Sequence, residues 1–94
     1  MRINGIVWLR HVIDKLAFKH RVEQSEVEEV FDNRPKFRFL EKGERQGEDV
    51  FVALGQSDAG RYLAVMFIYK KSKDALILSA RAMAPKERRL YGKK

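Results

Sequence analysis

A chain of 94 residues with 45% hydrophobic side chains can build one modest core, and that composition suits neither disorder nor a membrane protein. Twenty Lys and Arg against 13 Asp and Glu leave a net charge of +7, which favours a polyanionic partner, and nucleic acid is the commonest one in a cytoplasm. With no cysteine there is no disulfide or thiolate chemistry, and no apolar run approaches the roughly 18 residues of a transmembrane helix.

In chain order, Met1-Arg2-Ile3-Asn4 lacks the apolar core of a signal peptide, so a cytoplasmic protein is expected. Ile3 to Leu9 reads as a short edge strand entering a helix. Trp8, Leu9, Val12, Ile13, Leu16 and Ala17 then recur at three and four, which predicts a helix over about 9–19. Lys15, Lys19 and His11 share one face of it, and His20 closes it. A second helix is expected over about 24–31, with Val27, Val30 and Phe31 inward and Ser25 and Glu28 at capping-box spacing. Asn33-Arg34-Pro35 breaks it.

Lys36-Phe37-Arg38-Phe39-Leu40 alternates charge and aromatic as a half-exposed strand. Asp49 to Gly55 is the next, turned back by Ser57-Asp58-Ala59-Gly60 into Arg61-Tyr62-Leu63. Leu63 to Tyr69 and Ala75 to Ala80 are short apolar runs joined by Lys70-Lys71-Ser72-Lys73-Asp74, which predicts a hairpin of buried strands. Arg81 follows where strand stops. Pro85 suits the start of a short basic helix over about 84–91. The fold class is therefore α+β, one domain over 1–94, with two N-terminal helices packed on a four-stranded antiparallel sheet and a short C-terminal helix. Leu63, Val65, Phe67, Ile77, Phe51 and Leu54 are the expected core.

The acids are unevenly spread. Glu23, Glu26, Glu28, Glu29 and Asp32 fall in one ten-residue segment, and the remainder carries 20 cations and 8 anions, a balance of +12.

Were the polyanionic partner an RNA that the chain cleaves through its own 2′-hydroxyl, the reaction would need a base for that proton, cations for the charge gathering on phosphorus, and an acid for the leaving 5′-oxygen. No metal is required. Arg61 and Arg81 are the candidate phosphate cations, since a guanidinium fork fits two phosphate oxygens. His20 is the candidate base or acid near neutral pH, Glu29 the fallback base with Lys19 able to lower its pKa, and Tyr91 a further donor. Lys15, Lys86, Arg88 and Arg89 are candidate RNA contacts. Each has a plainer alternative: His20 as a helix-end residue, Arg61 as a charge on a strand edge, Arg81 paired with an acid of the second helix, and the lysines and C-terminal arginines as solvated surface. Phe37, Phe39, Phe51 and Phe67 read as core. His11 and His20 lie nine apart, with no helix-borne ligand pair, so neither metal nor cofactor is expected.

Trp8, Lys19-His20-x-Val22, Glu28-Glu29-Val30-Phe31-Asp32, Leu54-Gly55, Gly60-Arg61, Ile77-x-Ser79-Ala80-Arg81 and Lys86-Glu87-Arg88-Arg89-x-Tyr91, in that order over nearly the whole chain, resemble the BrnT family of bacterial toxins. The resemblance implies a fold similar to RelE-type ribonucleases, endoribonuclease action on cellular RNA, and a cognate antitoxin that blocks it in a type II toxin–antitoxin module, with DNA reached only through the antitoxin. Three positions depart from the family pattern. Leu9 stands where an acid is usual, Arg21 where glycine is usual, and Ala82 where a charge is often found. The first and third bear on activity. The second bears on the helix junction, because a left-handed cap there costs a non-glycine residue about 1 kcal/mol. Two functions follow: a ribonuclease toxin, or a module that kept the fold and binds RNA or antitoxin without cleaving.

Overall fold

The chain's short apolar runs and its turn residues divide it into β1 (Gly5–Val7), α1 (Arg10–Lys15), α2 (Gln24–Asp32), β2 (Lys36–Glu41), β3 (Asp49–Gln56), β4 (Tyr62–Tyr69), β5 (Asp74–Ala82) and α3 (Pro85–Gly92). This computed structural model describes residues 1–93. The described strands form one mixed sheet in the order β1-β5-β4-β3-β2, antiparallel except that β1 runs parallel to β5. The expected four-stranded antiparallel sheet thus gains a fifth, parallel strand. Three residues from Ile3–Leu9 suffice to pair with β5, with Ile6 opposite Ala75 and Val7 opposite Leu76.

The first helix departs from expectation in its second half. After Lys15 the chain loosens into a π-helical turn over Leu16–His20, which Arg21 ends in the left-handed region at φ 53°. The Leu16 carbonyl accepts both the Arg21 and the Val22 N–H groups, so one oxygen closes the turn. The cap of α2 is also placed differently from the spacing of Ser25 and Glu28. Glu26 reaches back to accept the Glu23 N–H at 3.0 Å, because the helix begins two residues earlier than that spacing assumes.

One face of the sheet is covered by α1, its π-turn and α2. Val12, Leu16, Val22, Val27, Val30, Ala53, Leu63, Val65, Phe67, Ala75, Ile77 and Ala80 are buried there, with Phe31, Phe37 and Phe51 ringed around Phe67. Gly55 lets α2 come close, since a Cβ there would meet Val30 Cγ1 at 3.0 Å and Pro35 Cβ at 3.2 Å. The other face carries a smaller cluster of Val52, Leu54 and Ala64 under Leu90 and Tyr91 of α3. Leu54, expected in the main core, belongs to this second cluster, because strict alternation along β3 sends it opposite to Ala53.

The hydrogen bonding of α3 starts on β5. Glu87 accepts the Ala84 N–H at 2.7 Å and takes the Arg81 guanidinium on both carboxylate oxygens, at 2.6 and 2.9 Å. That pairing with Arg81, helped by the Ala84 N–H and opposed by partial burial, holds the Glu87 carboxyl below the usual carboxylate range and raises Arg81.

Two outcomes follow from these local devices. Arg21→Gly removes a left-handed non-glycine residue and is expected to raise stability by about 1 kcal/mol in a urea titration. Because Glu87 titrates lower in the folded chain than in the unfolded one, its contribution is complete above the unfolded value of about 4.3 and is lost as pH falls through the folded one. Between about pH 5 and pH 3 the native chain should therefore lose more stability than Glu87→Gln; equal losses would show that the pair does not anchor α3.

Candidate active site at one end of the sheet

At the end of the sheet where β4 begins and β5 finishes, two groups of candidate residues gather, one on each face. On the helical face, Ser57-Asp58-Ala59-Gly60 makes the expected turn, with Gly60 at φ 89° and the Ser57 hydroxyl accepting the Arg61 N–H at 3.1 Å. The Arg61 side chain reaches under the helix junction. Its Nη1 donates to the Arg21 carbonyl at 2.6 Å and to Glu26 Oε1 at 3.1 Å, and its Nη2 donates to the His20 carbonyl at 3.3 Å. A guanidinium with three internal acceptors is a staple for the π-turn. Lys19 is exposed and His20 half-buried on the turn it holds.

The opposite face carries Arg81, whose side chain stays 41% exposed while Glu87 fixes its fork. Around it α3 presents Lys86, Arg88 and Arg89, all exposed. The Arg88 guanidinium lies over the Tyr62 ring, 3.6 Å from its centroid, and Tyr62 meets Tyr91 edge-on at 6.0 Å. Lys36 sits 5.8 Å above the Tyr91 ring and also bonds to the Lys93 carbonyl, while the Tyr91 hydroxyl lies 3.4 Å from Gln56 Oε1. Arg38, opposite Val52, adds a cation to this face. Cations and tyrosine rings interleave here as single-stranded nucleic acid requires.

The two candidate phosphate cations, Arg61 and Arg81, do not meet on one face. Arg61 lies in phase with Leu63 toward the helices, whereas Arg81 stands opposite Ala64 on the α3 face. A bulge is responsible: Phe67 pairs with Ile77 but Met66 pairs with Ser79, leaving Leu78 without an opposite number. Beyond it the phase of β5 is inverted. Arg81 also pairs with Glu87 of α3 and not with an acid of α2. Glu29 accepts the Asp58 N–H at 3.0 Å, which ties α2 to the β3–β4 turn and engages it away from Lys19. Lys15 reaches toward the Leu78 carbonyl at 3.5 Å. Trp8 donates to Glu28 Oε2 at 3.3 Å, joining the start of α1 to α2.

Sequence reading missed the contributions of Glu26, Glu87, Tyr62 and Lys36. Glu87 was findable, because an acid two residues after Pro85 is where a new helix end wants one. Among the described residues no three His, Cys, Asp or Glu side chains gather as a metal site would need, and no helix is long and apolar enough to cross a membrane.

With this geometry in hand, the chain can be compared with known proteins. Residues 12–87 match the family described as the BrnT ribonuclease toxin of type II toxin–antitoxin systems. Among solved structures, the crystal structure of the Brucella abortus ribonuclease toxin BrnT superposes with a TM-score of 0.58 at 16% sequence identity, over 85% of this chain and 96% of that one. At that identity the likeness shows the fold. No curated protein sequence matches the chain. The family match spans both sides of the site, from Val12 in α1 to Glu87 in α3, and the chain belongs to the BrnT family of ribonuclease toxins of type II toxin–antitoxin modules.

Proposed function

We propose that the chain cleaves RNA without a metal ion, by attack of a 2′-hydroxyl on the neighbouring phosphorus, at the end of the sheet where β5 passes into α3. The observation that carries this reading is Arg81: its fork is oriented by both oxygens of Glu87, yet its side chain remains 41% exposed among the cations and tyrosines of α3 and β4. A cation fixed before substrate arrives spends nothing on reorganisation when charge develops on the phosphorane. Arg88, Arg89 and Lys86 then hold flanking phosphates, and Tyr91 supplies a phenolic donor.

His20 and Lys19 lie at the same end of the sheet on its other face, within the field of a strand that bends around that end. His20 is the imidazole in place to carry a proton, and Lys19 the cation beside it. Arg61 acts through position, by holding the carbonyls of His20 and Arg21. Glu29, tied to the β3–β4 turn, takes a structural part. The action is on RNA in the cytoplasm, and the partner antitoxin neutralises the chain by denying RNA this end of the sheet.

The two arginines should respond differently to truncation. Arg81→Ala is expected to lower the cleavage rate of a single-stranded RNA roughly 10²- to 10³-fold, the loss typical of one preorganised donor. Arg61→Ala is expected to cost about 1–3 kcal/mol of stability, since it orphans two carbonyls and Glu26. Chelator leaves the native rate unchanged. Full cleavage by Arg81→Ala would remove Arg81 from the mechanism, and inhibition by chelator would overturn metal-free chemistry. If His20→Ala cleaves at the native rate, proton transfer belongs to the α3 face.

A further inference from the structure

Phe18 is 88% exposed, the most open of the large apolar side chains among the described residues. It sits inside the π-turn two positions after buried Leu16, and the apolar stripe of α1 passes from Val12 to Leu16 and on to Val22 without using it. The turn is firmly held. The Leu16 carbonyl takes two N–H groups, Arg21 closes the turn in the left-handed region, and Arg61 grips the carbonyls on either side of the His20–Arg21 peptide. The ring is thus presented to solvent by a turn fixed from beneath, where an extra residue per turn has been accommodated, a feature common at functional sites.

The charges around the ring point to its ligand. Lys19 follows Phe18 and Arg21 comes three residues after it, while Lys15 turns to the Leu78 carbonyl and Asp14 is the acid four residues before the ring. A lone aromatic ring is much smaller than the contiguous apolar surface that protein partners bury, whereas a single ring among cations is what an unpaired nucleobase and its phosphates require. We propose that Phe18 is a stacking platform for an unpaired base of the RNA, flanked by Lys19 and Arg21 on the sugar–phosphate backbone. This deepens the RNA-cleaving reading above and rests on it: RNA held on α3 at Arg81 would be anchored by a base on the other side of the same sheet end.

The test is binding of a fluorescent, uniformly 2′-O-methylated single-stranded RNA, which cannot cleave itself, followed by anisotropy with the native chain and with Phe18→Ala, Phe18→Leu and Phe18→Trp. Loss of one stacked base should weaken binding roughly 5- to 100-fold in Phe18→Ala. Phe18→Leu should be similarly weak, because it is apolar without a π-face, and Phe18→Trp should bind as well as the native chain. Thermal melts should be unchanged, since the ring packs on little. Native-like binding by Phe18→Ala or by Phe18→Leu would overturn the stacking role while leaving cleavage at Arg81 standing. If the native chain itself does not bind this RNA, both readings fall. If Phe18→Ala binds RNA normally but no longer retains the antitoxin, the ring is a protein contact and the proposal is wrong.

Discussion

The bulge at Leu78 decides which face of the sheet carries Arg81. Strict alternation would carry Ile77, Ser79 and Arg81 to one face, burying a guanidinium against α1 and the π-turn. By leaving Leu78 unpaired, the strand keeps Ile77 and Ala80 in the main core and turns Arg81 to the opposite face, where Glu87 is waiting. One unpaired residue thus separates an apolar helical layer from a cationic one. It also explains the uneven dressing of the sheet, with a large core on one side and only the small cluster under α3 on the other.

The acidic stretch of α2 gains its meaning from the same division. Glu26 caps its own helix and pairs with Arg61, Glu28 accepts from Trp8, and Glu29 holds the Asp58 N–H. Three acids are therefore spent on fastening α2 to the elements around it. The 8 acids outside that stretch stand against 20 cations, so the cations of β2, β5 and α3 are left in excess, with Arg81 held by its Glu87 partner. Surface ion pairs contribute little stability each. Here their larger effect is on where the unpaired charge is left.

Much of the fold was legible in the residues. The turn at Ser57–Gly60, the Lys70–Asp74 hairpin, the break at Pro35 and the start at Pro85 are written in side chains whose backbone preferences are narrow, and each lies where expected. The π-turn and the Leu78 bulge are not, because both insert one residue into a regular pattern that an apolar sequence tolerates in either phase. The Leu78 insertion by itself places Arg81 on the face opposite Arg61. Arg21 shows the converse: a left-handed cap was readable at that position even though the residue there is not glycine. The edge strand expected within Ile3–Leu9 is present as Gly5–Val7, but its parallel pairing with β5 was not legible, since three residues are too few to show a period of their own.

The parallel pairing of β1 with β5 bears on how such a chain comes into being. The first strand finds its place only against Asp74–Leu76, and Asn4 is held by the backbone of Ser72 and Lys73. The N-terminal edge of the sheet therefore stays open during synthesis until the last strand has left the ribosome, and β5 in turn brings Arg81 to Glu87 of α3. Contacts so distant along the chain close late. In such a chain the first strand made is the last to be seated, so the order of synthesis runs against the order in which this edge of the sheet can close.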